Sequence, residues 1–261
     1  MSLYQVEAIV LKARNLGEAD KVLTLLTKNH GKLDAVAKGV RKIKSKNRGA
    51  VQPFSHSRIM LYEGKSMDTV TQCELIAGFP KIRDNLERLA YAGYLTELTA
   101  WMLPEKDPQQ EVYFLLLTIL YYLEAAKAKD LIELITRFYE IRLLNLMGYR
   151  PELDFCVNCG SHLSNEKVVF SPALGGVLCS ACSSQSSQVI PITQGILAVW
   201  RLLARIKPGN LNRLRIKTED LSALENLLQS FMEYQLEHKM KSLDFIHRLK
   251  KFTKSARASD A

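Results

Sequence analysis

No run of apolar residues in this chain is long enough to cross a bilayer: the longest, Phe114 to Leu123, is about half of the roughly 20 residues a span requires. It has helical periodicity between charged flanks and reads as core. The start, Met1-Ser2-Leu3-Tyr4-Gln5-Val6-Glu7, lacks a basic stretch followed by an apolar one. No secretory signal is expected, and the chain is expected in the cytoplasm. Cysteine is scarce, five in 261 residues, and in a reducing compartment these do not form a disulfide framework. No two of the 13 glycines are spaced G-x-G, which excludes a dinucleotide fingerprint and a kinase-type loop. Gly64-Lys65-Ser66 ends like a phosphate-binding P-loop, but Ile59 stands where that motif needs glycine. Neither G-x-S-x-G nor H-E-x-x-H occurs. An enzyme of a familiar class is disfavoured, and no catalytic residue is expected.

What is present suits two or three modest cores. The 47% apolar and 24% charged residues are those of an ordinary folded protein and exclude extensive disorder. The net charge of +9 is unevenly divided. Residues 1–78 carry 13 Lys+Arg against 7 Asp+Glu and residues 239–261 carry 7 against 2, whereas 79–155 carry 9 against 12. The positive field belongs to the two ends, which points to a polyanionic partner.

From Tyr4 to Ala77 the pattern is of short strands, predicted at Gln5–Ala13, Lys21–Thr27, Lys32–Ala37, Ser57–Tyr62 and Met67–Ile76. Asn29-His30-Gly31 and Glu63-Gly64-Lys65 supply turn chemistry between them. Five strands in so short a span suit a small closed barrel, the oligonucleotide-binding (OB) type first and an SH3-like barrel as the alternative. Between strands three and four, Lys38 to Gly49 holds six cations (Lys38, Arg41, Lys42, Lys44, Lys46 and Arg48) and no anion. Such a run is suited to phosphate contact. Tyr4, Phe54 and Tyr62 are placed for base stacking or, more ordinarily, for core packing.

Beyond Phe79-Pro80 the period turns helical. Helices are predicted over about 82–102, from an Asp107-Pro108 cap with Gln110 closing a capping box to about Lys127, over 131–147 ending at Gly148, over 193–206, over 219–239 behind Thr218, and briefly over 242–252 before a frayed basic tail. The expected organisation is α+β and multidomain. It comprises an OB barrel at 1–78, a helical domain at 79–151 and 191–252, a zinc-binding insertion at 152–190 and a tail at 253–261.

The insertion carries the most specific chemical signal. Cys156-x2-Cys159 and Cys179-x2-Cys182, with 19 residues between the pairs, have four-cysteine zinc spacing. The segment holds few apolar residues, and one metal ion per chain would replace the core it lacks. Four thiolates leave no open coordination position, so this zinc is structural. His162 competes at most as a substitute ligand, and Cys73, in a strand, reads as a core thiol.

Ala37-Lys38-Gly39-Val40-Arg41, continued by Arg48-Gly49-Ala50-Val51-Gln52-Pro53-Phe54, together with the helical middle, Gly148-Tyr149 before the cysteines and Lys241-Ser242-Leu243 near the end, resembles the bacterial RecO family of recombination mediators over nearly the whole chain. The resemblance implies an OB domain that binds single- and double-stranded DNA, anneals complementary strands, pairs with RecR, and helps RecA replace single-strand-binding protein (SSB) without hydrolysing nucleotide. It implies phosphate binding at Lys38, Arg41, Lys42, Lys44, Lys46 and Arg48, a site for the acidic SSB tail somewhere in the helical domain, and a bacterial, nucleoid-associated location. The rival readings are a zinc-ribbon and OB factor of transcription or translation, and a metal-dependent nuclease built on Glu18/Asp20, Glu105/Asp107 or Glu152/Asp154.

Overall fold

Five strands close into a barrel in a computed structural model that describes residues 2–42, 45, 47–163, 167–186 and 188–259. They are β1 (Leu3–Leu16), β2 (Asp20–Thr27), β3 (Gly31–Ala37), β4 (His56–Tyr62) and β5 (Asp68–Ala77). Their order is β1-β2-β3-β5-β4, with β4 returning to β1 and β3 parallel to β5. This is the closure of an OB barrel. Along β3 burial alternates at every residue, and Leu33, Ala35 and Ala37 point inward to join Val6, Ala8, Val10, Leu23, Leu25, Ile59, Leu61 and Val70. The hairpin between β2 and β3 turns at Gly31, whose φ is +67°; a Cβ there would lie 2.4 Å from the carbonyl oxygen of Asp107. Only glycine fits that approach.

The chain divides by contact into two units, residues 1–126 with 240–261 and residues 127–239. In the first, α1 (Pro80–Arg83) and α2 (Leu86–Met102) follow the barrel. The helix expected over 82–102 is interrupted at Asp84, because the Asn85 side chain accepts from the Arg88 amide and starts a new helix. The next helix, α3 (Gln110–Ala125), also starts later than its proline suggests. Asp107 and Pro108 stay outside it, the Asp107 backbone lying against Gly31, while the Gln110 amide donates to Asn29 Oδ1 at 2.9 Å rather than closing a capping box. His56 on β4 meets the Tyr113 hydroxyl of α3 at 2.8 Å, seating that helix on the barrel. The last helix, α7 (Lys241–Ser259), packs along α2, and helix continues where a frayed tail was expected.

The second unit is built on α4 (Lys129–Leu146). Its end has the expected glycine: Gly148 (φ +83°) donates to Asn145 O and Tyr149 to Leu144 O, the two bonds of a Schellman turn. A small sheet follows, β6 (Val168–Ser171), β7 (Gly176–Cys179) and β8 (Ile190–Ile192), in the order β7-β6-β8. Then come α5 (Gln194–Arg205), capped by Thr193, and α6 (Thr218–Leu236). Thr218, expected as the α6 cap, lies inside the helix, and Lys217 precedes it without a side-chain cap. Phe170 of β6 stacks 5.4 Å from both Trp200 of α5 and Phe231 of α6, so the cysteine-bearing segment contributes its apolar residues to a shared core. Deeper in the unit, Arg137 and Glu140 of α4 form a buried ion pair at 2.9 Å, with Glu225 of α6 4.0 Å from the same guanidinium.

Candidate nucleic-acid interface and metal centre

The loop from β3 to β4 is anchored by its apolar residues and presents its cations outward. Val40 and Val51, 2% and 0% exposed, insert into the barrel core. That burial explains why the motif interleaves apolar residues with charge. At its start the loop is held by the β1–β2 turn: Gly39 donates to Asp20 Oδ1 at 2.7 Å, the Arg41 amide to Ala19 O, and the Arg41 guanidinium to Gly17 O at 2.6 Å. At its end Ser55 and Ser57 hydroxyls donate to Gly49 O and Ala50 O, and Arg83 of α1 donates to Pro53 O and Ser55 Oγ, each at 2.9 Å. Phe54 takes a left-handed conformation (φ +71°) and bonds through its backbone N–H to Val10 O.

Lys38, Arg41, Lys42 and Arg48 are exposed. Lys44 and Lys46 lie outside the described residues. Lys21 on β2 belongs with this group, although its place alone in a strand gave no sign of it. Partial burial, and then the nearby positive charges of Arg41 and Arg48, lower its pKa. Cations that disfavour one another's charge in this way mark a surface where an incoming anion gains from several at once.

The three aromatic candidates separate. Phe54 is buried, Tyr4 has its hydroxyl on Asp68 and its ring 5.1 Å from His30, and Tyr62 is 41% exposed. Cys73 packs against the barrel core, and burial pushes its thiol up to about 11.

In the second unit the four cysteine sulfurs gather within 4.8 Å of one another, and none is in a disulfide. Cys156–Gly160 forms a tight knuckle closed by Gly160 N–H on Cys156 O. Cys179 ends β7, which runs beside the knuckle because Gly176 carries no side chain; a Cβ there would lie 2.4 Å from the Val157 side chain. Tetrahedral ligands about 2.3 Å from one ion stand about 3.8 Å apart, and Cys159 and Cys179 Sγ are separated by 3.8 Å. Donors already point at the sulfurs, with Cys179 N–H 3.4 Å from Cys156 Sγ and Asn158 Nδ2 3.3 Å from Cys182 Sγ. Burial works to raise the Cys156 thiol, but amides of Cys159, Cys179 and Asn158 outweigh it and bring it down to about 6. The cluster can hold a metal ion. His162 stays out of it, its ring 5.5 Å from Phe155. Among the described residues no second group of three or more His, Cys, Asp or Glu side chains converges in this way, so the acidic pairs of the nuclease reading do not assemble.

A further groove of about 350 Å³ lies in the second unit, lined by Leu131, Leu134, Leu214, Ile216 and Leu221 together with Lys127, Asp130 and Arg215. Its residues come from segments on either side of the cysteine-bearing stretch, and periodicity within one helix could not assemble them. No helix among the described residues is long and apolar enough to cross a membrane.

Comparison with known proteins agrees over the whole chain. Residues 1–79 match the family model "Recombination protein O N terminal" and residues 83–244 match "Recombination protein O C terminal". The chain is 36% identical to the DNA repair protein RecO of Pelotomaculum thermopropionicum, covering 100% of both chains. It is 38% identical to that of Desulforamulus reducens over 96% of each, and 39% identical to that of Desulforudis audaxviator over 95% of this chain and 98% of the relative. A barrel with an anchored basic loop, a four-cysteine cluster and full-length similarity of this degree place the chain in the RecO family.

Proposed function

We propose that the protein is a DNA repair mediator that binds single- and double-stranded DNA through the barrel, anneals complementary strands and, with RecR, helps RecA replace SSB. The observation that carries the reading is the β3–β4 loop, whose apolar residues are spent on anchoring while Lys38, Arg41, Lys42 and Arg48 remain exposed beside Lys21. Annealing two polyanions requires their repulsion to be screened while base edges stay free. Cations on phosphates, held by a rigid barrel and reading no sequence, supply that. Lys44 and Lys46 are assigned to the same contact from their place in the run. No bond is made or broken, so the chain needs no catalytic group, and its work is done in the bacterial cytoplasm.

Zinc is the ion we assign to Cys156, Cys159, Cys179 and Cys182, since four thiolates in tetrahedral spacing suit it and leave no position for water. It cross-links the knuckle to the end of β7. The groove between Leu131 and Leu221 is assigned to the SSB tail: apolar walls with two cations, Lys127 and Arg215, against one acid, Asp130, suit an acidic peptide with apolar side chains. As a division of labour, residues 1–78 grip DNA, the helical domain at 79–151 and 191–252 carries the SSB-tail groove, and 152–190 holds the metal.

The salt dependence of binding to a single-stranded oligonucleotide tests the loop. Each neutralised phosphate contributes a slope of about −0.7, so replacing Arg41, Lys42, Lys44 and Lys46 by Ala should flatten the slope by roughly two to three units. An unchanged slope would place the interface elsewhere.

A further inference from the structure

The most cationic helix of the chain is not part of the loop or the barrel. Across Lys241–Ser259 the sequence has a single acid, Asp244, against Lys241, Arg248, Lys250, Lys251, Lys254 and Arg257. The orientation of α7 is fixed at several points along α2. Glu97 accepts from the amides of Lys241 and Ser242 and from the Ser242 hydroxyl, capping the helix start. Leu243 and Ile246 are buried, and further along Lys250 Nζ lies 6.0 Å from the Tyr91 ring centroid. The opposite face is therefore held outward.

That face has an order of its own. Lys241, Phe245, Arg248 and Phe252 follow at intervals of four, three and four residues, which sets them in one line along a helix. Cation and aromatic alternate, with Lys251 beside the line, and Lys241, Arg248 and Lys251 are exposed. Phe245 and Phe252 are 47% and 74% exposed. Largely exposed aromatic rings between positive charges match an unpaired nucleic-acid strand, whose bases stack on the rings while its phosphates meet the cations. Paired bases in a duplex offer no such faces. An acidic peptide would need a pocket for its apolar side chains, and the outward ridge of a single helix is convex.

We propose that this face of α7 is a second single-strand site, so that one molecule holds two strands, one on the β3–β4 loop and one on Phe245, Arg248 and Phe252. The inference rests on the reading of the loop as a DNA site and goes beyond it by giving the second strand a place on the protein. It assigns a function to the basic end of the chain, which the barrel does not need for its own closure.

Two measurements on full-length protein test it. Oligo-dT substituted with 5-iododeoxyuridine should, on irradiation, cross-link to the peptide containing Phe245 and Phe252 as well as to the barrel. Adducts confined to the barrel would overturn the second site and leave the loop standing, whereas adducts nowhere would remove both. In a bridging assay, biotinylated oligo-dT on beads should retain a second, labelled oligo-dT only when protein is present. The variant Phe245→Ala/Arg248→Ala/Phe252→Ala leaves Leu243 and Ile246 in place, and it should lose bridging by more than tenfold while binding a single oligonucleotide within about twofold of wild type. Bridging equal to wild type would overturn the proposal, as would a loss confined to binding of an acidic SSB-tail peptide.

Discussion

His56 shows how one side chain ties barrel to helix. It is buried, its Nε2 meets Tyr113 at 2.8 Å, and burial lowers its pKa below the ordinary value of 6.5. The unfolded chain then binds more protons than the folded one below about pH 6.5, so this contribution to stability is complete above that pH and is lost as the pH falls toward the folded value. Thermal unfolding followed from pH 7.5 to 5 should show a fall in Tm that His56→Gln diminishes; parallel curves for the two proteins would refute the assignment. The cysteines make a second prediction at this scale. Protein purified without chelator should contain about one zinc per chain, and Cys179→Ser should lose it while the OB barrel stays folded. Metal content near zero in well-folded wild-type protein would contradict the site. The gathering of the four cysteines was legible from spacing alone, because a knuckle is a local device. Lys21 was not, since its neighbours Arg41 and Arg48 come from another segment.

At the scale of elements, the five strands fall close to where their Val, Ile, Leu and Thr content and the turn residues predict them, with β1 running longer at both ends. Short runs rich in β-branched and apolar residues between turn signals are a local property, which makes the strands readable. Helix boundaries were less so. The break at Asp84, the late start of α3 and the continuation of α7 depend on Asn85, on Asp107 lying against Gly31, and on α2 supplying a surface to pack against. Each is a tertiary fact that local propensity cannot carry. The cap of α7 is the most testable of these. Glu97→Ala removes the acceptor of the Lys241 and Ser242 amides and should cost about 1 kcal/mol, lowering Tm by a few degrees. No change in Tm, with no loss of helicity by circular dichroism, would show that α7 does not depend on it. The buried Arg137–Glu140 pair sets a larger scale: Arg137→Ala would leave a carboxylate buried without its partner and should cost about 3–5 kcal/mol in urea unfolding.

For the whole molecule, the distribution of charge is the sequence property that carries furthest, because both positive ends fall in the unit that contains the barrel. The groove proposed for the SSB tail, by contrast, could be anticipated only as a type of surface; its residues meet through folding. If the anchored basic loop is what lets this chain act as an annealing mediator, its cations govern the annealing of complementary strands coated with SSB. Full-length protein should anneal strands coated with intact SSB and do so poorly when SSB lacks its acidic tail. The variant with Arg41, Lys42, Lys44 and Lys46 replaced by Ala should anneal neither coated nor naked strands at low protein concentration, with zinc content unchanged and Tm lowered only by the loss of the Arg41–Gly17 hydrogen bond. Annealing by that variant at the wild-type rate, or none by the wild-type protein, would refute that role for the loop.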